Sequence, residues 1–330
     1  MKIQTVLGPI DASALGRTLV HEHIFVKYPG AEFDPKYPVD RPAVIKEAVR
    51  RLTELRVEHG VRTLVDPCPI ELGRDVHVLA AVSEGSQVNI VCTTGFYFEA
   101  LGLPPYWRNS TVEQITELYL TELREGIDNT GIRAGAIKCA TTGKTMTDAE
   151  ARCLAAACEA QKVTGVPIIT HTQGGLGGPE QQDLFEKHGV PLQRALIGHC
   201  CESTDHHYHL GIVNRGSYIG FDRIGWEQFQ TDQARADSLV KLYQAGKGPQ
   251  ILMSQDRYCY MIGRYGRKQS PEEVLRMEEA KRAGLWPPPF THLFTSFYGL
   301  LRERGMTQAQ IDSLLDDNPT RFFSGAPLPQ

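Results

Sequence analysis

Two histidines two positions apart, His21 and His23, close an apolar run at 18–24. Side chains two apart in a strand leave the backbone on the same side, so both imidazoles aim at one point. Two imidazoles converging at the end of a buried strand can begin a metal site, whereas a lone histidine there is more often a hydrogen-bonded core residue. Other apolar runs carry comparable groups near their ends: Lys138 in 134–140, His171 in 167–172, His199 in 195–200 and Asp256 in 250–256. Each alone has an ordinary role. A buried histidine bonds a backbone carbonyl, a strand-end aspartate caps the next helix, and a lysine threads its ammonium out to water. Gathered at the same end of five strands, the six form a nitrogen-and-oxygen ligand set for divalent cations.

Lys138 is the residue under most physical pressure. An ammonium among Ala134, Gly135, Ala136, Ile137, Cys139 and Ala140 is costly to bury unpaired. One solution is a carboxylate partner, and Asp256 is a candidate. The other is loss of the charge: a neutral amine takes up carbon dioxide to give a carbamate, an anion whose two oxygens can bridge two cations.

These groups need elements to hold them. Runs at 18–24, 62–68, 88–94, 134–140, 167–172, 195–200, 217–222 and 250–256 are rich in Val, Ile, Leu and Thr, as strands buried on both faces are. Between them lie helix signals. Val44, Ile45, Ala48, Val49, Leu52 and Leu55 follow helical spacing before Gly60. Capping boxes are expected at Ser110–Glu113, Thr147–Glu150 and Thr307–Gln310. Eight strand–helix units without a composition break predict an α/β protein, a (β/α)8 TIM barrel forming a single domain over 1–330. A doubly wound sheet would normally bring a glycine-rich turn after its first strand, and none is present. In a barrel all strand C-termini open on one face, so the six candidate ligands share one cavity. The connection from Arg257 to about Phe290 is long, with a capped helix start at Ser270–Glu273 and a stretch from Trp286 into prolines 287–289. It is expected either to lie as a lid over that cavity or to pack down as a surface excursion.

Bulk properties exclude several classes. A net charge of −4 with scattered Lys and Arg gives no reason to expect a nucleic-acid partner. No window approaches 18 apolar residues and the first residues lack a secretory pattern, so no membrane association is expected. Eight cysteines in 330 residues are no disulfide scaffold, and no CxxC pair suggests a thiolate zinc site. Reduced thiols and a cytoplasmic location fit best.

Motifs along nearly the whole chain resemble the phosphotriesterase family of the amidohydrolase superfamily. They are Gln4–Pro9, Leu15–His23, Ile137–Lys144, Thr170–Thr172, Ile197–His199, Ser217–Arg223, Met253–Asp256 and Asn318–Phe323. The resemblance implies a metal-dependent hydrolase with two divalent ions, zinc in first place and cobalt, manganese or iron as alternatives. It implies that His21, His23 and Asp256 hold one ion and His171 and His199 the other. Lys138, as N6-carboxylysine formed from carbon dioxide, and a hydroxide would bridge them, with Asp256 accepting the proton. Lactonase-like members have a Tyr after the third strand and an Arg after the seventh; Tyr97 and Arg223 stand at the matching places. Each has an ordinary alternative, a half-buried aromatic rim for Tyr97 and a salt bridge with Asp222 or another acid for Arg223. The expected substrate is a small lactone, with phosphotriesters hydrolysed more weakly. Lys138–Lys144 looks more like organophosphate triesterases, so a dedicated phosphotriester, carboxylic ester or amide hydrolase is the alternative. Arg257, Arg264, Arg267 and Lys268 either contact an anionic substrate or face water. The resemblance also implies a homodimer.

Overall fold

The computed structural model describes residues 2–36, 38–263 and 289–329, with Leu275, Glu278, Glu279, Arg282 and Ala283 between them. The expected helix start at Ser270–Glu273, Trp286, and the cations Arg264, Arg267 and Lys268 lie outside the described residues.

All eight expected strands form. They are β1 (Arg17–Leu19), β2 (Val61–Asp66), β3 (Asn89–Gly95), β4 (Ala136–Thr141), β5 (Ile168–Thr172), β6 (Ala195–Ile197), β7 (Tyr218–Phe221) and β8 (Ile251–Met253). They pair in chain order, every pair parallel. The seam between β1 and β8 is stitched by Asp256 N–H donating to the His21 carbonyl at 2.9 Å. Beyond it, His23–Lys27 pairs in parallel with Tyr258–Ile262. The result is a nearly closed parallel barrel.

Helices α1 (Arg41–His59), α2 (Val76–Ser86), α3 (Val112–Arg124), α4 (Asp148–Thr164), α5 (Gly178–Lys187), α6 (His206–Asn214) and α7 (Asp232–Leu242) follow β1 to β7, and α8 (Tyr298–Glu303), α9 (Gln308–Ser313) and α10 (Asp317–Ser324) end the chain. The capping boxes at Thr147 and Thr307 form as expected. The third is displaced by one residue: Thr111 caps α3, with Gln114 completing the box. Ser110 Oγ instead donates to the Tyr106 carbonyl at 3.0 Å, closing the preceding helical turn. Asp205 caps α6 through the amides of His207 and Tyr208, so the histidines at 206, 207 and 209 belong to a helix start.

Strand alternation sorts the core into two layers. Val65, Val91, Ala136, Ile169, Leu196 and Leu252 fill the ring, above a floor of Ile3, Leu15, Phe322 and Phe323. The opposite faces, including Leu64, Ile90, Ile137 and Ile168, pack beneath the helices. Burying each such aliphatic side chain is worth about 1.5–3 kcal/mol, so register is set by both layers at once. Among the described residues, no helix is long and apolar enough to cross a membrane.

Candidate metal centre

The inward rows of the barrel lead to its mouth in steps of two. Ala136 points into the ring and Lys138 follows it on β4; Ile169 precedes His171 on β5. From β7 the same step leads from Tyr218 through Gly220 to Asp222, and from β8 it leads from Leu252 through Ser254 to Asp256. An added Cβ at Gly220 would lie 2.7 Å from Asp222 Oδ2, so only glycine leaves that carboxylate its place.

Two strands stop short of their apolar runs. Beyond β6 and β8, His199 and Asp256 adopt left-handed backbone, φ 59° and 52°. That conformation costs a side-chain-bearing residue roughly 1–2 kcal/mol. It is held by His199 N–H donating to Asp222 Oδ1 at 2.7 Å and by the Asp256 amide on the His21 carbonyl. The first strand differs as well. It ends at Leu19, so His21 and His23 do not share one strand as the spacing predicts. Their rings still meet edge to face, centroids 5.5 Å apart.

The six expected groups come together. His21 Nε2 lies 3.2 Å from Lys138 Nζ and 3.5 Å from Asp256 Oδ1. His23 Nε2 lies 3.1 Å from the same Asp256 oxygen. The His199 ring is 4.8 Å from that of His21 and 4.5 Å from that of His171. Donor atoms of His21, His23 and Asp256 all fall within 4.8 Å of one another, as do those of His21, His199 and Asp222. A third trio, His23, Asp66 and Cys68, meets the same measure. There Asp66 is occupied by the amides of Ile24 and Cys68, at 2.9 and 3.0 Å.

Electrostatics suit cations. Lys138 is 1% exposed, and burial pushes its ammonium down to about 8. It has no ion pair among the described residues, so the alternative of a pairing with Asp256 is not what it makes; its hydrogen-bond partner is His21. Burial, then the Lys138 charge, pushes His21 down to about 3, and burial with His199 holds His171 well below the ordinary imidazole range. Both rings are therefore neutral donors at neutral pH. At His23 burial opposes the charge, but the hydrogen bonds its ring donates to Asp256 and Asp66 outweigh it and raise the ring well above its usual value. Burial would neutralise Asp256, yet Arg223 and the imidazoles keep it well below the usual carboxylate range. Anionic carboxylates, the neutral rings of His21 and His171, and a lysine whose proton burial loosens are a donor set that suits divalent cations.

Tyr97 and Arg223 both reach the ligand set. Tyr97 O–H lies 3.1 Å from His171 Nδ1, while Gln173 Oε1 sits 2.9 Å from His171 Nε2. Arg223 does not pair with Asp222. Its Nε donates to Asp256 Oδ2 at 2.7 Å and its Nη1 to Glu202 Oε1. The sequence reading missed Glu202, whose signal is its position three past His199. It also missed Asp66, an acid ending β2 whose Oδ1 lies 3.3 Å from His23 Nδ1.

Asp222, read only as a partner for Arg223, instead orients one imidazole from each expected ligand group. Its Oδ2 accepts from His21 Nδ1 at 2.9 Å and its Oδ1 from His199 Nδ1 at 3.1 Å, which turns both Nε2 atoms inward. Asp222→Asn is expected to weaken metal affinity by about 10–100-fold, measured by competition with a chromophoric chelator. Unchanged affinity would leave Asp222 a packing residue only.

The sequence model of the Phosphotriesterase family matches residues 1–323. The phosphotriesterase homology protein of Mycobacterium tuberculosis is 35% identical over 334 residues, covering 98% of this chain and 97% of that one. The aryldialkylphosphatase of Saccharolobus solfataricus is 31% identical over 316 residues, covering 96% and 97%. Among solved structures, a mutant of a PTE-like lactonase from Deinococcus radiodurans superposes with a TM-score of 0.89 at 34% identity, covering 97% of this chain and 99% of that one.

Proposed function

The chain belongs to the phosphotriesterase family and is a metal-dependent hydrolase of ester bonds, and on that premise we propose that it is a binuclear lactonase with weaker phosphotriesterase activity. Arg223 on Asp256 and Tyr97 on His171 carry this reading: a guanidinium and a phenol placed against two ligand residues, as the lactonase resemblance requires. The Deinococcus radiodurans relative is described as a lactonase.

His21, His23 and Asp256 would hold one cation and His171 and His199 the second. Lys138 would reach both after its neutral amine bonds to carbon dioxide and releases a proton, leaving a carbamate. Two such cations supply an acidified water and polarise the carbonyl or phosphoryl oxygen. The chain's residues do the rest. Asp256, kept anionic by Arg223, accepts the proton of the attacking water. Glu202 holds the far end of the Arg223 guanidinium, so the carboxylate stays oriented for that transfer. Tyr97 orients the ring of the bound lactone; as the ring C–O bond breaks, its alkoxide takes the proton from Asp256, and the hydroxy acid leaves without ever having been covalently linked to the enzyme. Eight free cysteines, all buried, suit the cytoplasm for a single-domain enzyme of this kind.

A dedicated phosphotriester hydrolase is the second reading, favoured by Lys138–Lys144 and by the aryldialkylphosphatase among the relatives. A panel of acyl-homoserine lactones, γ- and δ-lactones, aryl esters, amides and paraoxon on metal-quantified protein separates the two. Because Arg223 would also bind the lactone's ring oxygen, which paraoxon lacks, Arg223→Ala is expected to lower lactone kcat/KM by about 10²-fold and paraoxon kcat/KM by a smaller factor. Equal losses, or a wild-type preference for paraoxon, would leave the phosphotriester reading standing.

A further inference from the structure

Three of the four site imidazoles are gripped at Nδ1 by a carboxylate: His21 and His199 by Asp222, at 2.9 and 3.1 Å, and His23 by Asp66 at 3.3 Å. His171 is the exception. Its Nε2 lies 2.9 Å from Oε1 of Gln173, a neutral amide on the same loop. The Tyr97 hydroxyl sits on its other side, 3.1 Å from Nδ1 against 3.4 Å from Nε2. An amide oxygen only accepts, so the proton of this ring sits on Nε2. A neutral imidazole carries one such proton, and Nδ1 is then the bare nitrogen, accepting from Tyr97 O–H. Where the other three rings turn Nε2 toward the site, His171 offers the opposite atom.

Gln173 is set in place by the loop it begins. The chain after β5 reverses through Gly174, Gly175 and Gly177, left-handed at φ 65°, 66° and 94°. The Leu176 amide donates back to the Gln173 carbonyl at 3.3 Å. A Cβ on Gly177 would lie 2.5 Å from the Gly143 carbonyl oxygen, and one on Gly175 would lie 3.0 Å from the Ser203 amide nitrogen. The turn is therefore seated against the loops that follow β4 and β6. The His171 main chain is fixed separately: its carbonyl accepts from Gln181 Nε2 at 2.9 Å, and the same amide donates to Thr141 Oγ1 at 2.9 Å. With backbone and turn both held, the Gln173 amide is the group that selects which ring nitrogen His171 presents.

A bond to the far nitrogen of a ligand imidazole fixes its tautomer and raises its basicity. A carboxylate does the second more strongly than an amide, because the bond to a charged acceptor is stronger. We propose that Gln173 is a positioning residue of the metal centre: its amide oxygen presents His171 Nδ1 to a cation, and its neutrality leaves this ring the weakest imidazole donor of the four. This rests on the two-cation reading above, and adds which atom of His171 is used and which residue tunes it.

The test has two parts. In metal-free protein carrying isotope-labelled histidine, long-range proton–nitrogen NMR reads which nitrogen of His171 is protonated, its signal assigned by loss in His171→Asn. A proton on Nε2 is expected; a proton on Nδ1 overturns the proposal whatever the metal content or activity. The second part titrates zinc against a chromophoric chelator into wild type, Gln173→Met and Gln173→Glu. Gln173→Met keeps the length and removes the acceptor. It should weaken one cation by about tenfold or more and leave the other nearly unchanged. Gln173→Glu restores an acceptor and charges it, and should hold that cation as tightly as wild type or more tightly. Both affinities come from one preparation, so a misfolded fraction lowers the zinc bound per chain and not their ratio. A ratio that Gln173→Met leaves unchanged, or a Gln173→Glu protein no better than Gln173→Met, overturns the assignment. Should wild type bind a single cation, the two-cation reading fails, while the NMR result and the loss in Gln173→Met still decide the role of Gln173.

Discussion

Replacing Lys138 by alanine is expected to lower kcat/KM by about 10³-fold or more, equivalent to about 4 kcal/mol of transition-state stabilisation. Most of the bound metal should leave with it. Lys138 stands at the mouth end of β4, with Nζ 3.2 Å from His21 Nε2, amid imidazoles that on the family pattern serve different cations. As a carbamate it supplies the anionic oxygens that let two cations sit close together. Alanine removes those oxygens and leaves room behind. Short carboxylic acids such as propionate should therefore restore part of the activity. Metal per chain and kcat/KM, each with and without propionate, check this on one preparation. A fully active Lys138→Ala enzyme would refute the bridge. Full metal occupancy with lost activity would move the role of Lys138 from ligand to charge.

Chelation is expected to lower hydrolysis by more than about 10²-fold, and zinc, cobalt or manganese should restore it. Because the donor groups are buried, removal should be slow and depend on incubation time. Apparent metal affinity should rise with pH. His23 holds its proton between Asp66 and Asp256 and must release it before its nitrogen can bind, whereas His21 and His171 are already neutral. Activity indifferent to prolonged chelation would contradict a metal-dependent site.

Continuous apolar runs made the strands legible, because a strand buried under helices on one side and inside a ring on the other has no polar face to confuse the pattern. Their ends were less legible. β6 and β8 stop early where His199 and Asp256 turn left-handed, a conformation enforced by Asp222 and the His21 carbonyl, both distant in sequence. The cap at Thr111 in place of Ser110 depended on a bond from Ser110 to Tyr106 that the local motif does not contain. The ligand candidates could be read because each sits at a strand end. The carboxylates that orient them could not, since an acid's role depends on which imidazole or guanidinium faces it. Asp222 looked like a partner for its neighbour Arg223 and is instead the joint support of His21 and His199.

The central claim is that two cations share one carbon-dioxide-modified lysine at the barrel mouth. Anomalous-scattering diffraction from metal-loaded crystals tests it most directly. The account predicts two metal peaks ~4 Å apart, with density for a carboxylate on Lys138 Nζ lying between them. A single peak, or a bare ammonium at Lys138 beside two, would contradict it.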